Sequence, residues 1–145
     1  MIVHAGLLAR YQAGGWRGVL IEGPSGAGKS DLALRALEAG FQLVADDRTL
    51  VWTCQGRLYG ACPAPIAGLI EARGLGLAAP GAVRRLAPID LVVDCATPDS
   101  AIERLPAPQT RELLGLRAPL LRLRALEPSA VAKIGWALSG LGAVS

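Results

Sequence analysis

Residues 18–30 read GVLIEGPSGAGKS, and this stretch decides how the surrounding chain folds. Its apolar run at residues 19–21 predicts a strand, and the residues that follow it, DLALRALEAG, are strong helix formers. In such a strand-loop-helix, backbone N–H groups surround phosphate oxygens, a lysine reaches the β- and γ-phosphates, and a serine hydroxyl contacts Mg²⁺. The sequence therefore predicts a site for ATP and Mg²⁺. The loop matches G-x-x-x-x-G-K-[ST] in full, with the residues Gly23, Pro24, Ser25, Gly26, Ala27, Gly28, Lys29 and Ser30.

The length and composition of the chain favour one small globular domain. Its 145 residues are about the length of a single domain, so we expect residues 1–145 to form one. Hydrophobic residues make up 52% of the chain, but no apolar run approaches the roughly 18 residues of a membrane span. The opening residues, MIVHAGLLARYQ, have no basic start, which argues against a cleaved signal. These features predict a cytoplasmic protein without a membrane partner.

Charge and cysteine content argue against three further classes of site. The net charge of +3 comes mainly from arginines scattered along the chain, so we expect no nucleic-acid partner. The cysteines Cys54, Cys62 and Cys95 lack C-x-x-C spacing, which argues against a zinc site and a disulfide framework. We expect all three to be buried thiols.

The run before the loop predicts the type of sheet. Residues 2–10 are apolar, and Gly14 and Gly15 separate them from the strand at residues 19–21, a pattern typical of a β-hairpin. So short a link requires antiparallel pairing, because a parallel neighbour needs a crossover of a dozen or more residues. We therefore predict an α/β P-loop domain with a mixed, partly antiparallel sheet flanked by helices.

The rest of the chain is predicted from hydrophobic periodicity and turn residues. We expect helices at residues 29–39, 98–105 and 129–141, the second of them capped by Thr97. We expect strands at residues 41–45, 49–53, 57–61, 88–96 and 120–126, and a constrained loop that follows a helical turn within residues 66–77.

Asp46 and Asp47 are the first candidates for chemistry beyond the loop. They end the strand that follows the P-loop helix, at the sheet edge where ligands collect. Consecutive extended residues point opposite ways, so one carboxylate can face Mg²⁺ or an acceptor hydroxyl while the other structures the loop. A solvated Asp-Asp turn is the alternative. Asp94, after a hydrophobic strand, competes for the role of metal-organising aspartate.

Other polar residues carry weaker signals. Glu71 and Arg73 could offer an Mg²⁺ ligand and a phosphate clamp. By spacing alone, His4 on its apolar run is more often a core residue, and Arg104 would be a plain surface arginine.

Several motifs together resemble the catalytic domain of HPr kinase/phosphorylase, a family that phosphorylates a serine of the phosphocarrier protein HPr. The resemblance is closest to the short single-domain members found in alphaproteobacteria, and it implies a fold like that of phosphoenolpyruvate carboxykinase. Family members are hexamers, which implies a homo-oligomer. The motifs are His4-Ala5, GPSGAGKSDLAL, LVADDR, IEARGLG and GAVR.

The resemblance also implies roles for individual residues. His4 would lie at the phosphate site, and Lys29 would contact the transferred phosphate. Ser30 and Glu71 would hold Mg²⁺. Asp47 matches the residue that takes the proton from the serine hydroxyl and returns it in the reverse phosphorolysis, and Arg104 in IERLP matches a catalytic arginine.

Two departures from the family pattern affect the expected activity. The family commonly has an additional N-terminal domain, whereas this sequence starts at the kinase core. Where the family has a P-x-R-P-G-R-type segment linked to dephosphorylation, residues 123–129 read LRALEPS, so we expect weak or no phosphorylase activity. A small-molecule P-loop kinase and a non-catalytic nucleotide-binding regulator remain the alternatives. The early hairpin argues against the first, and the intact Lys29, Ser30, Asp47 and Glu71 argue against the second.

Overall fold

A six-stranded mixed sheet forms the centre of the molecule. The computed structural model describes residues 1–63, 68–80, 83–97 and 99–142. The strand order in this sheet is β11-β12-β10-β3-β2-β4, with β10 parallel to both β3 and β12 and the other pairs antiparallel. This arrangement confirms the predicted hairpin and the mixed sheet. The strands are β2 (Ala5–Gln12), β3 (Gly15–Glu22), β4 (Gln42–Ala45), β10 (Leu91–Cys95), β11 (Gln109–Leu113) and β12 (Leu116–Leu123).

Two helices cover one face of this sheet. Helix α1 spans Lys29–Glu38 and helix α2 spans Ala130–Gly142, close to the predicted bounds. Their buried residues, among them Leu32 and Ile134, pack on the side chains of β3 and β10 that point to that face. Neither helix combines the length and apolarity that a membrane crossing requires within the described chain.

A second sheet covers the opposite face, and it contains the hairpin predicted at residues 49–61. It is antiparallel, with the order β1-β5-β6-β9. Buried residues of β2, β3 and β10 pack against it, so the central sheet is buried on both faces. The buried Thr49 hydroxyl donates to the Ala5 carbonyl at 2.8 Å and joins the two sheets. The strands are β1 (Ile2–Val3), β5 (Thr49–Cys54), β6 (Arg57–Ala61) and β9 (Leu86–Pro88).

Two predictions of secondary structure near the end of the chain were wrong. Residues 99–105 form no helix, since they offer no apolar stripe to bury, and only a single turn is present, in which Ser100 N donates to Thr97 O at 3.0 Å. Pro98 lies outside the described residues. The single strand expected at 120–126 is instead the hairpin of β11 and β12, turned by Leu114 and Gly115 with φ of 49° and 80°.

The expected loop within residues 66–77 contains two short paired strands, β7 (Ile70–Ala72) and β8 (Gly76–Ala78). Residues 66–67, where the expected helical turn would begin, and residues 81–82 of the GAVR motif lie outside the described part of the chain. Residues 68–70, which follow, are not helical. Of the three cysteines, Cys95 is buried and Cys62 is half-buried, but Cys54 is exposed beside the β5–β6 turn. The prediction of three buried thiols was therefore wrong for Cys54.

Candidate active site

The phosphate-binding loop connects the end of β3 to the start of α1. Gly28 is the N-cap of α1 and has φ of 94°, in the left-handed region that glycine adopts without strain. Since Gly28 has no capping side chain, the first N–H groups of α1 are left for an anion at the loop. Gly23 lies against β10, where an added Cβ would be 2.8 Å from the Cys95 carbonyl oxygen. The loop is therefore held by backbone packing that only glycine allows.

Lys29 is the first residue of α1, and its ammonium group donates to the Gly23 carbonyl at the other end of the loop. This contact joins the two ends of the loop. Because a carbonyl is a weaker partner for an ammonium group than a phosphate oxygen is, the lysine is free to exchange one for the other.

Asp46 joins three segments of the chain. Ser30 Oγ donates to Asp46 Oδ1 over a long 3.5 Å, and the Glu71 backbone N–H donates to Asp46 Oδ2 at 2.9 Å. The carboxylate therefore connects α1, the end of β4 and strand β7. Other P-loop enzymes hold Mg²⁺ between a serine or threonine of the loop and an aspartate, so Ser30 and Asp46 are candidates for the same task.

The electrostatics at Asp46 reflect this position. Burial raises the pKa of Asp46 above its usual value, and the nearby charges of Asp47 and Glu71 raise it further. The hydrogen bonds from Glu71 N and Ser30 lower the pKa but do not offset the rise. A cation bound beside Asp46 would stabilise the ionised carboxylate and so offset the free energy lost when its charge is removed from water.

Asp47 occupies a different environment from its neighbour. It is exposed, and its φ of 66° is left-handed, which tightens the turn so that Arg48 N donates to Asp46 O at 2.7 Å. The strained turn passes close to Gly6, where an added Cβ would be 3.4 Å from the Ala45 carbonyl oxygen. Asp47 therefore lies at the open side of the site.

A small cleft connects these groups. Its polar side is formed by Lys29, Ser30, Asp46 and Asp47. Its apolar side is formed by Gly6, Leu7, Leu8, Ile21, Ala33 and Ala45.

Two other expected residues lie at the margin of this cleft. His4 is exposed at the bend between β1 and β2, and the next residue, Ala5, pairs with Glu22 at the start of the loop. Glu71 is exposed on β7, with its backbone, not its carboxylate, making the contact to Asp46.

Asp94 and Arg104 are placed differently from the rest. Asp94 pairs with Glu22 across the β3–β10 ladder, and its carboxylate accepts from Arg122 Nε at 3.0 Å, so its charge already has a partner. Arg104 is exposed in the irregular segment between β10 and β11, and no contact recorded for the described residues joins it to the loop. The structure thus favours Asp46 over Asp94 as the organising aspartate.

The residues present fit a bound Mg²⁺. The described residues contain no group of three or more His, Cys, Asp or Glu side chains that could hold a metal by themselves. Mg²⁺ in phosphoryl-transfer sites needs only one or two carboxylates, with substrate phosphates and water completing its shell. Ser30 and Asp46 supply oxygen ligands of this kind. Asp46 was visible in the sequence as half of an Asp pair, but only its contact with Ser30 distinguishes it from Asp47.

The fold resembles a solved structure. The chain superposes on the structure of the Hpr(Ser) kinase/phosphatase from Coxiella burnetii with a TM-score of 0.80 and 24% sequence identity. The match covers 99% of this chain and 95% of that chain. This likeness shows that the two chains share one fold.

Sequence comparisons identify the family. HPr kinase/phosphorylase of Bordetella pertussis is 43% identical over an alignment of 109 residues, and the match covers 68% of this chain and 35% of that protein. HPr kinase/phosphorylase of Lactiplantibacillus plantarum is 40% identical over an alignment of 112 residues, and the match covers 70% of this chain and 36% of that protein. The chain thus spans about a third of the length of these curated relatives. The family model described as "HPr Serine kinase C-terminal domain" matches residues 2–134, and the chain therefore belongs to this family.

Proposed function

We propose that this chain is the catalytic domain of an ATP- and Mg²⁺-dependent protein serine kinase that acts on HPr or a related phosphocarrier protein. The observation that carries the proposal is the contact between Ser30 and Asp46 beside a complete phosphate-binding loop, with Asp47 next to it at the open side. Family membership supports the choice of a protein serine as acceptor.

The loop and its lysine would bind the phosphates of ATP. Backbone N–H groups at the start of α1 would face the phosphates, and Lys29 would leave the Gly23 carbonyl to bind the phosphate that is transferred. Ser30 and Asp46 would hold Mg²⁺, and Glu71 would complete the site from β7. When bound, Mg²⁺ neutralises charge on the β- and γ-phosphates.

Asp47 would act on the acceptor. Its carboxylate is exposed, so an incoming serine hydroxyl can reach it. It would take the hydroxyl proton as the serine oxygen bonds to the γ-phosphorus, the bond between that phosphorus and ADP breaks, and ADP leaves. His4, one residue before the Ala5–Glu22 pair, would contact the transferred phosphate, and Arg104 would neutralise charge that develops during transfer. This assignment gives the two adjacent aspartates separate tasks.

The central test is transfer of label from ATP. The protein is incubated with γ-labelled ATP, Mg²⁺ and the HPr-like proteins of the same organism, and the labelled residue is mapped. We expect label on a serine of a phosphocarrier protein. Label on a small metabolite would instead identify a small-molecule kinase, and nucleotide binding without transfer would identify a regulator.

Two variants make this experiment specific to the loop. Lys29→Ala should abolish most labelling, because it removes the cation that contacts the transferred phosphate. Arg57→Ala removes a cation from the second sheet and should label as the parent does. Equal labelling by the parent and Lys29→Ala would contradict the assignment of the loop.

The same resemblance leads us to propose a cytoplasmic homo-oligomer. Light scattering of the purified protein measures its mass directly, and a monomer at micromolar concentration would contradict this part of the proposal.

A further inference from the structure

Hydrogen bonds connect a turn after β12 to helix α1. Glu127 N donates to Arg124 O at 3.2 Å and closes the turn, which consists of residues 124–127. From α1, the Arg35 guanidinium donates to the carbonyl oxygens of Ala125 and Glu127. These contacts hold the turn in one position beside the phosphate-binding loop.

Leu126 of this turn lies directly on the loop. A Cβ added to Gly28 would be 3.0 Å from Leu126 Cδ2 and 3.3 Å from Ala125 Cβ. Despite this contact, 67% of Leu126 is exposed. A large apolar side chain is thus presented to solvent at the edge of the phosphate-binding loop, where a surface position would ordinarily be polar.

Leu126 and Asp46 lie on opposite sides of the loop. Gly28 and Ser30 are two positions apart at the start of α1, which places them roughly 200° apart around the helix axis. Ser30 faces Asp46, whereas Gly28 faces Leu126. The strand order agrees, because β4, which leads to Asp46, and β12, which leads to Leu126, flank β3 on opposite sides.

We propose that Leu126 contacts the nucleoside of the bound nucleotide. The inference rests on the proposed kinase function, in which the transferred phosphate lies next to Asp47. A triphosphate that starts at the aspartates and crosses the start of α1 brings its nucleoside to the opposite side, where Leu126 is. The face of a nucleobase is apolar, so its contact with Leu126 removes apolar surface of both groups from water. Leu126 has no hydrogen-bonding group, so the contact favours adenine and guanine alike.

The test separates the contribution of the nucleoside to binding from that of the phosphates. Dissociation constants of the full chain are measured by calorimetry for ATP, GTP and inorganic triphosphate, each with Mg²⁺. Leu126→Ala should raise the constants for ATP and GTP about three- to tenfold, the loss expected for one apolar contact, and leave that for triphosphate unchanged. Leu126→Met should bind all three as the parent does. Leu114→Ala, at the β11–β12 turn on the opposite end of β12, is the matched control and should change none of the three constants.

Two results would overturn the inference while leaving the kinase function in place. One is an unchanged constant for ATP in Leu126→Ala. The other is an equal loss for ATP and triphosphate, which would mean that Leu126 shapes the loop instead of contacting the nucleoside. If the parent bound neither ATP nor triphosphate, the proposed kinase function would fail, and this inference with it.

Discussion

Two adjacent carboxylates at the end of β4 have different surroundings. Asp46 is half-buried between Ser30 and the backbone of Glu71, whereas Asp47 is exposed in a left-handed turn. A side chain that accepts two hydrogen bonds is fixed in position, while an exposed one can meet an acceptor. The separation of roles that we propose, metal binding by Asp46 and proton transfer by Asp47, is consistent with these two environments.

Asp47→Asn tests the role in proton transfer. Asparagine tolerates the left-handed φ of this position, so the turn should be preserved. Since loss of a general base typically lowers the rate about 10²- to 10⁴-fold, kinase turnover should fall by that factor while the dissociation constant for MgATP stays near that of the parent. Turnover is measured by phosphoserine formation, with Asp99→Asn as the control on another exposed aspartate. Unchanged turnover would move the role to Asp46 or Asp94.

Asp46→Asn tests how much the partly buried charge of Asp46 destabilises the folded protein. Burial raises the pKa of Asp46, so the folded state holds the proton more tightly than the unfolded state does. The stability that this group contributes is present at low pH and is lost as the pH rises through the folded pKa. At pH 7 the variant should therefore be more stable than the parent and have a higher Tm, by a small margin because Asp46 is only partly buried.

Thermal unfolding of both proteins between pH 4 and pH 8 measures this effect. The difference in Tm should shrink as the pH falls, because the parent carboxyl becomes protonated. The same variant should lose Mg²⁺-dependent activity. A Tm below that of the parent at pH 7 would show that the charge of Asp46 stabilises the fold.

At the scale of elements, close contact between strands positions the phosphate-binding loop. Gly18 of β3 lies against β9, and an added Cβ would be 1.7 Å from the Pro88 carbonyl oxygen. The backbone also forms hydrogen bonds here, with Gly18 N donating to Asp90 Oδ2 at 3.1 Å. Strand β3, which leads into the phosphate-binding loop, is thus in direct backbone contact with the second sheet.

Gly18→Ala should separate these elements. The added methyl group must displace the backbone at Pro88. Overpacking of this kind typically lowers the free energy of unfolding by about 1–3 kcal/mol, and we expect a loss of about 3 kcal/mol here. Gly15→Ala is the matched control on the same strand, because an added Cβ there meets nothing within 4 Å. Guanidinium unfolding measures both variants, and equal midpoints would contradict the packing argument.

The predicted helix at residues 98–105 illustrates how elements depend on their surroundings. Thr97 and the residues after it carry helix-start signals, but the described residues 99–105 present no apolar face to a neighbouring element. Short helices gain most of their stability from tertiary packing, so capping signals alone do not form one. Helix α1, in contrast, buries Leu32 and Ala36 against the sheet and forms where the sequence predicted it.

At the scale of the whole molecule, we expect a kinase with little reverse activity. Phosphorolysis must bring inorganic phosphate next to an anionic phosphoserine, which requires positive charge near the site. In the segment at residues 123–129, Arg124 donates to the Ser100 carbonyl at 2.6 Å, and Glu127 is paired with Lys133. Arg124 is therefore the one cation that residues 123–129 supply, whereas the family pattern P-x-R-P-G-R has two arginines there.

The measurement uses purified phosphoserine acceptor and millimolar phosphate, with pyrophosphate release as the readout. The forward kinase rate of the same preparation is the reference. We expect the reverse rate to be at least about tenfold lower, the effect of roughly one lost phosphate contact. Comparable rates in the two directions would mean that His4 and Arg104 suffice to bind the attacking phosphate.

The sequence by itself determined the parts of this protein whose signals lie close together in the chain. The loop from Gly23 to Ser30, the helix after it and the hairpin of β2 and β3 were predicted correctly because motif, helix formers and turn glycines lie within a few residues of one another. The hairpin alone was enough to predict a mixed sheet, because a short link permits only antiparallel pairing.

Only the tertiary structure decided which distant residues meet. Asp46 contacts Ser30 because β4 lies in the same sheet as β3, and Leu126 covers Gly28 because β12 ends beside the loop. The second sheet exists because Gly18 and Thr49 allow its strands to approach the central sheet. Such contacts depend on the pairing of strands far apart in sequence, and no local pattern records that pairing.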